Sequence, residues 1–168
     1  FSWSLQPSYW PQAKGKGWLS AEYTMLPYST RPRTKRPLIT RDGRAVEIQR
    51  IIARSLRGVV DLSLMQGLAL HVDCDVLEAD GGTRTASITG GFIALAMALK
   101  RLMAEGTLAQ NPLISNVAAV SVGYVDGGLL LDLDYAEDSR AEVDLNVIME
   151  GKGKLIEVQG TGEGTPFS

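Results

Sequence analysis

Apolar residues between positions 47 and 61 recur at Ile48, Ile51, Ile52, Leu56, Val59 and Val60, with Ser55 on the same stripe. Gln49, Arg50, Arg54 and Arg57 fall mostly off it. This is the spacing of one helix face, so an amphipathic helix is expected here, ending near Asp61. The period then changes to two. Over 67–76, Leu68, Leu70, Val72, Cys74 and Val76 share one side and His71, Asp73 and Asp75 the other, as in a strand with one buried face. Asp80-Gly81-Gly82 breaks the chain and leads into Thr83-Arg84-Thr85-Ala86-Ser87. There a long helix rich in Ala, Leu and Met begins and runs to about Glu105.

Strand patterns occupy the rest. Residues 19–26 form a short one stopped by Pro27, and 117–125 read as a buried strand. Asp126-Gly127-Gly128 is a hairpin turn with 129–135 as the returning partner. After a polar loop at 136–141, a strand over 143–149 turns at Gly151-Lys152-Gly153 and comes back over 154–158. Residues 1–11 have no period, and 159–168 are glycine-rich and open-ended. Two helices and several mostly hairpin-linked strands, with no internal repeat, predict an α+β fold in one domain over 1–168.

Composition adds limits. A chain of 168 residues, 45% hydrophobic and 21% charged, has enough apolar material for a sizeable core. A net charge of −2 excludes a generally basic surface, so any nucleic-acid contact has to come from a local cluster. One such cluster exists: Arg31, Arg33, Lys35, Arg36, Arg41 and Arg44, interrupted by Pro32 and Pro37, which prevent a regular helix. Lys14 and Lys16 flank a flexible glycine just upstream. The lone Cys74 excludes an internal disulfide and a zinc site built on thiolates, and fits a reducing compartment. No uninterrupted apolar run approaches the roughly 20 residues that cross a bilayer. The opening Phe1-Ser2-Trp3-Ser4-Leu5 has no basic segment before an apolar one, so a cytoplasmic location without membrane contact is expected.

The strongest chemical signal is Asp80-Gly81-Gly82-Thr83-Arg84. Glycines before a helix let backbone N–H groups face an anion, the helix dipole adds positive charge, and Thr83 and Arg84 add a hydroxyl and a guanidinium. The Gly-Lys-Ser/Thr ending of a nucleotide-binding P-loop is absent, and so is the glycine spacing of a dinucleotide fingerprint. On local sequence the segment fits a phosphate cradle and, equally, an ordinary turn with Thr83 as the helix cap. Arg44 could add a second cation or face water. Asp132, Asp134, Glu137, Asp138, Glu142 and Asp144 form an acidic cluster that suits either Mg²⁺ or an exposed loop. His71 and Cys74 lie on opposite strand faces and cannot form a nucleophile–base pair. Trp18 and Tyr23 read as core residues rather than base-stacking platforms.

Several blocks together resemble the ribonuclease PH family: Gly15-Lys16-Gly17-Trp18-Leu19-Ser20-Ala21-Glu22-Tyr23 with Met25-Leu26-Pro27, then Gly43-Arg44 with Glu47-Ile48-Gln49-Arg50. Asp73-Cys74-Asp75-Val76 and Asp80-Gly81-Gly82-Thr83-Arg84-Thr85-Ala86-Ser87-Ile88-Thr89-Gly90 are the most specific. Residues 118–123, Tyr135-Ala136-Glu137-Asp138-Ser139, Asp144-Leu145-Asn146-Val147 and Glu157-Val158-Gln159-Gly160-Thr161 follow in the same order.

The resemblance implies a ribosomal protein S5 domain 2-like fold, a mixed sheet with helices packed on one face. It implies a phosphorolytic 3′→5′ exoribonuclease that trims tRNA precursors and other RNA, rRNA included, with inorganic phosphate as co-substrate and Mg²⁺ as cofactor. The intact family member is a homo-oligomer, a hexameric ring. By position, Arg44, Gly82, Thr83 and Arg84 match phosphate-binding residues. Asp138 and Asp144 match the catalytic, metal-binding carboxylates, and Arg33 and Arg36 match residues for RNA contact or assembly. The alternatives are a catalytically silent RNA-binding or ring-forming subunit of an exosome-like assembly and, less well, a polynucleotide phosphorylase domain. Against the family pattern, the N-terminal strands and C-terminal helix are missing, so truncation at both ends is expected. Tyr28 stands where an arginine is usual, and the loop between Arg36 and Arg44 is short.

Overall fold

The computed structural model describes residues 2–7, 15–35, 42–162 and 166–167. β1 (Ser2–Pro7) runs antiparallel to β3 (Leu68–Val76), and β3 runs parallel to β2 (Trp18–Met25), giving a mixed three-stranded sheet in the order β1-β3-β2. A parallel pair cannot be closed by a tight turn; here α1 (Gly43–Arg57) lies within the crossover from β2 to β3. The later strands are joined by short connections and are antiparallel throughout. β4 (Val117–Val125), β5 (Gly128–Leu131), β6 (Val143–Glu150) and β7 (Leu155–Gly162) form a second sheet in the order β5-β4-β6-β7.

α1 and α2 (Thr83–Ala104) pack on the mixed sheet, and α2 also lies across β4. Leu19, Ile48, Ile52, Leu56, Leu70, Ile88, Leu95 and Leu99 are fully buried in one core, which Val117 and Ile148 extend to the second sheet. Arg54 of α1 adds a 2.9 Å ion pair with Glu157 of β7. α2 is 22 residues long and apolar enough to cross a membrane by length and composition. Its buried Ile88, Leu95, Leu99 and Leu102 pack in the core, although Ile93 and Met97 are exposed. The helical and strand periods of the sequence therefore mark real elements, and the α+β expectation holds, with the strands divided between two sheets.

Several boundaries differ for local reasons. α1 begins at Gly43, earlier than its apolar stripe, because the Asp42 carboxylate accepts the Arg44 N–H at 3.2 Å and caps the helix. It ends at Arg57, and Val59 and Val60 are buried outside it. β1 falls where the sequence shows no alternation; its backbone ladder with β3 defines it. β5 stops at Leu131 because Asp132 takes a positive φ of 60°. The following residues, read as strand and loop, form the short helix α3 (Tyr135–Asp138), closed by a capping box between Asp134 and Glu137. β7 continues to Gly162 instead of ending at 158.

Cys74 is buried on the core face of β3, and burial pushes its thiol up to about 11 from an ordinary 9.0. A folded state that holds this proton more tightly keeps the full benefit below pH 9.0 and loses it as pH rises through about 11. Burial also raises the Tyr23 hydroxyl above its usual 10.0, in the same sense. The urea midpoint is expected to fall between pH 8.5 and 10.5, and Cys74→Ala to flatten part of that decline. A parallel decline in the variant would remove the thiol from the account.

Candidate active site

The chain passes from β3 into α2 through two glycines in the left-handed region, Gly81 at φ 73° and Gly82 at φ 54°. Gly82, not Thr83, is the capping residue, and it offers no side-chain hydrogen bond to the first turn. Its carbonyl accepts from the Thr85 hydroxyl at 2.8 Å and from the Ala86 N–H at 2.9 Å. The N–H groups that open a helix have no intrahelical acceptor, and here no side-chain cap occupies them. Neither α1 nor α2 carries an acidic residue in its first turn, while Arg44 and Arg84 each stand in one. The α1 N-terminus already holds the Asp42 carboxylate, so the start of α2, with the Arg44 and Arg84 guanidinium groups, is the part left open to an anion.

Gly81 is needed for space as well as for its φ. A Cβ there would run into the Leu133 carbonyl oxygen and lie 2.8 Å from the Asp134 carbonyl carbon. Bare backbone lets the turn lie directly on the segment before α3. The Asp80 carboxylate adds a bond from the Tyr135 N–H at 3.2 Å. These contacts join the start of α2 to the second sheet.

Between them opens a cleft of about 850 Å³. Arg44, Gly82, Thr83, Arg84, Asp138 and Asp144 all line it. Thr30 lines it too, so the basic segment leaves from its rim, although Arg33 is exposed and is not in the lining. Arg36 lies outside the described residues. The acidic cluster divides. Asp134 and Glu137 are engaged in the capping box, with bonds of 2.8 and 3.2 Å, and only Asp138 and Asp144 of the six reach the cleft wall.

Sequence reading missed the residues that hold these groups. Arg84 donates to Gln159 Oε1 at 2.8 Å and lies 3.7 Å from Glu47. Its Nε is buried with no hydrogen-bond partner among the described residues, an N–H left for another acceptor. Tyr23, correctly placed in the core, also brings its hydroxyl to 2.9 Å from Thr83 Oγ1. The available signal was topological: β2 and β3 run parallel, so Tyr23 near the end of one neighbours the turn that leaves the other. His71 pairs with Ser20 at 2.7 Å, and Cys74 is buried; neither lines the cleft.

Among the described residues, no group of three or more His, Cys, Asp or Glu side chains could hold a metal ion. A cage made wholly of protein ligands is therefore not what these residues offer. Two carboxylates in a cleft that also gathers cations fit Mg²⁺, which keeps several waters and takes one or two carboxylates plus substrate phosphate oxygens.

Comparison with known proteins places this geometry in a family. Residues 4–100 match the 3′ exoribonuclease family, domain 1, and residues 115–168 match domain 2 of the same family. The chain belongs to the 3′ exoribonuclease family. It is 58% identical over 159 residues to the ribonuclease PH of Synechococcus sp., covering 95% of this chain and 64% of that protein. It is 59% identical over 157 residues to the ribonuclease PH of Moorella thermoacetica, covering 92% of this chain and 62% of that one. The chain thus spans a little under two thirds of the length of these curated relatives. In structure it is similar to a chain of the Archaeoglobus fulgidus exosome with RNA bound to the active site. The TM-score is 0.73 at 21% identity, over 99% of this chain and 67% of the other, and this shows the shared fold. The resemblance to ribonuclease PH read from the sequence blocks is therefore upheld.

The role of Gly81 in this 3′ exoribonuclease family member can be separated from that of other left-handed glycines. Gly127, at φ 82°, has nothing among the described residues within 4 Å of where a Cβ would lie, so Gly127→Ala meets backbone strain alone. Gly81→Ala meets the same strain plus a backbone collision, and is expected to lower the thermal midpoint by several degrees more, for a difference on the order of 1–3 kcal/mol. Equal midpoints for the two variants would show that the close approach is unimportant.

Proposed function

We propose that this chain carries the active site of a phosphorolytic 3′→5′ exoribonuclease that trims the 3′ ends of tRNA precursors, with inorganic phosphate as co-substrate. One observation carries the reading: two arginines, the uncapped start of α2 and two carboxylates line a single cleft. Its identity to proteins named ribonuclease PH supports the same activity.

The chemistry explains why no side-chain nucleophile is needed. An oxygen of inorganic phosphate bonds to the last phosphorus of the RNA, and the bond to the 3′ oxygen of the preceding nucleotide breaks. A nucleoside diphosphate leaves, and the proton given up by the attacking phosphate ends on the released 3′ oxygen. Two anionic phosphoryl groups have to be held together against their repulsion. Arg44, Arg84, the Thr83 hydroxyl and the first amides of α2 supply that attraction in fixed positions. Asp138 and Asp144, the two aspartates in the cleft wall, would relay the proton or hold Mg²⁺. When bound, the ion would neutralise charge on the scissile phosphate.

Cytoplasmic location, action on rRNA and assembly into a hexameric ring belong to the same proposal, with Arg33 and Arg36 assigned to RNA contact or assembly. The fold likeness to exosome chains is compatible with a second reading, a silent RNA-binding or ring-forming subunit, but supports it less well. Arg44, Thr83, Arg84, Asp138 and Asp144 in one cleft argue for the enzyme, because a silent subunit does not need cations facing carboxylates.

The test is release of a labelled nucleotide from the 3′ end of a short RNA in the presence of Mg²⁺, with and without inorganic phosphate. Nucleoside diphosphate is expected only with phosphate, and Arg84→Ala is expected to slow its release on the order of a hundredfold. Nucleoside monophosphate without phosphate would make the protein a hydrolase. No release at all would favour the silent subunit.

A further inference from the structure

Tyr23 stands behind the cradle. It belongs to β2, is only 4% exposed, and packs in the same core as Leu19 and Ile88. Its hydroxyl lies 2.9 Å from Thr83 Oγ1, and among the described residues neither hydroxyl has another hydrogen-bond partner. Thr83 itself lines the cleft.

The direction of this bond follows from counting protons. A buried tyrosine hydroxyl has one proton to place, and Thr83 Oγ1 is the acceptor within reach. If Thr83 donated instead, the tyrosine proton would be left buried without an acceptor, the costlier arrangement. With Tyr23 donating, the proton of Thr83 remains to be directed elsewhere, and the side of Thr83 away from the core is the cleft. The phenol keeps its proton at neutral pH because burial outweighs the Thr83 contact, Arg44 and Arg84, all of which pull its pKa down.

We infer that Tyr23 is a positioning residue that holds the Thr83 hydroxyl as an O–H donor toward the anion in the cleft. This rests on the reading of the cleft as a phosphate site and adds to it the orientation of one donor. A freely rotating threonine hydroxyl can donate or accept toward the cleft; one that already accepts from Tyr23 presents a donor there. That arrangement suits an acceptor-rich ligand such as inorganic phosphate.

The test measures binding of inorganic phosphate by calorimetry, together with the phosphate KM and kcat of phosphorolysis, in the wild-type protein and in Tyr23→Phe, Thr83→Val, Thr83→Ser and Tyr23→Phe/Thr83→Val. Tyr23→Phe is expected to weaken phosphate binding about fivefold, the worth of one neutral hydrogen bond, and to raise the phosphate KM with little change in kcat or RNA affinity. Thr83→Ser, which keeps the hydroxyl, should recover most of the phosphate affinity that Thr83→Val loses. The double variant should bind phosphate no more weakly than Thr83→Val alone, since Tyr23 acts only through that hydroxyl. Because the double variant removes both polar atoms together, this comparison survives even if Tyr23→Phe alone folds poorly. Wild-type affinity in Tyr23→Phe, or a double-variant loss equal to the product of the single losses, would overturn the inference while leaving the phosphate site intact. A wild-type protein that binds no phosphate would overturn both.

Discussion

Gly81 and Gly82 turn the chain from β3 into α2 with two successive positive φ angles, and the bare backbone of Gly81 rests on the Leu133–Asp134 peptide. The cleft depends on this contact. It fixes the uncapped start of α2 beside the segment that leads into α3, so cationic and acidic groups from distant parts of the sequence face a common space. Asp80 strengthens the join through the Tyr135 N–H. A side chain at position 81 would separate the elements before any question of charge arose.

Within that frame the electrostatics are arranged so that the groups meeting a ligand remain available. Arg84 is braced by Gln159 from β7 and by Glu47 from α1, and still keeps a buried Nε–H without a partner among the described residues. Asp134 and Glu137 cap α3 between themselves, which orders the short helix that ends in Asp138. Much of the local charge is thus spent on holding a few groups in place. Preorganisation of this kind is what the proposed phosphorolysis calls for, since donors already in place need no reorganisation at the moment of reaction.

Much of this was legible in the sequence, and the exceptions are instructive. The helical stripe of α1, the alternation of β3 and the hairpin between β4 and β5 are periodic signals from burial on one face, and they appear where expected. The glycine turn was readable locally as either an anion cradle or an ordinary helix-opening turn, and the cap fell at Gly82 instead of Thr83. By contrast, β1 carries no readable alternation, and α3 depends on a four-residue capping box whose Asp134 and Glu137 were read as part of an undifferentiated acidic cluster. Gln159 and Tyr23 reach the cleft through contacts spanning 75 and 60 positions, which no local pattern could reveal. Family resemblance, more than periodicity, singled out Asp138 and Asp144 from their acidic neighbours.

The central claim is that the start of α2, with Arg44 and Arg84, holds a phosphate ion. The most direct measurement is a crystal structure of the protein grown with inorganic phosphate in place of other anions. Phosphate is expected within hydrogen-bonding distance of the first amides of α2 and of the Thr83 hydroxyl, with the Arg44 and Arg84 guanidinium groups turned toward it. A phosphate bound elsewhere, with the amides of Thr83 and Arg84 contacting only water, would contradict the claim.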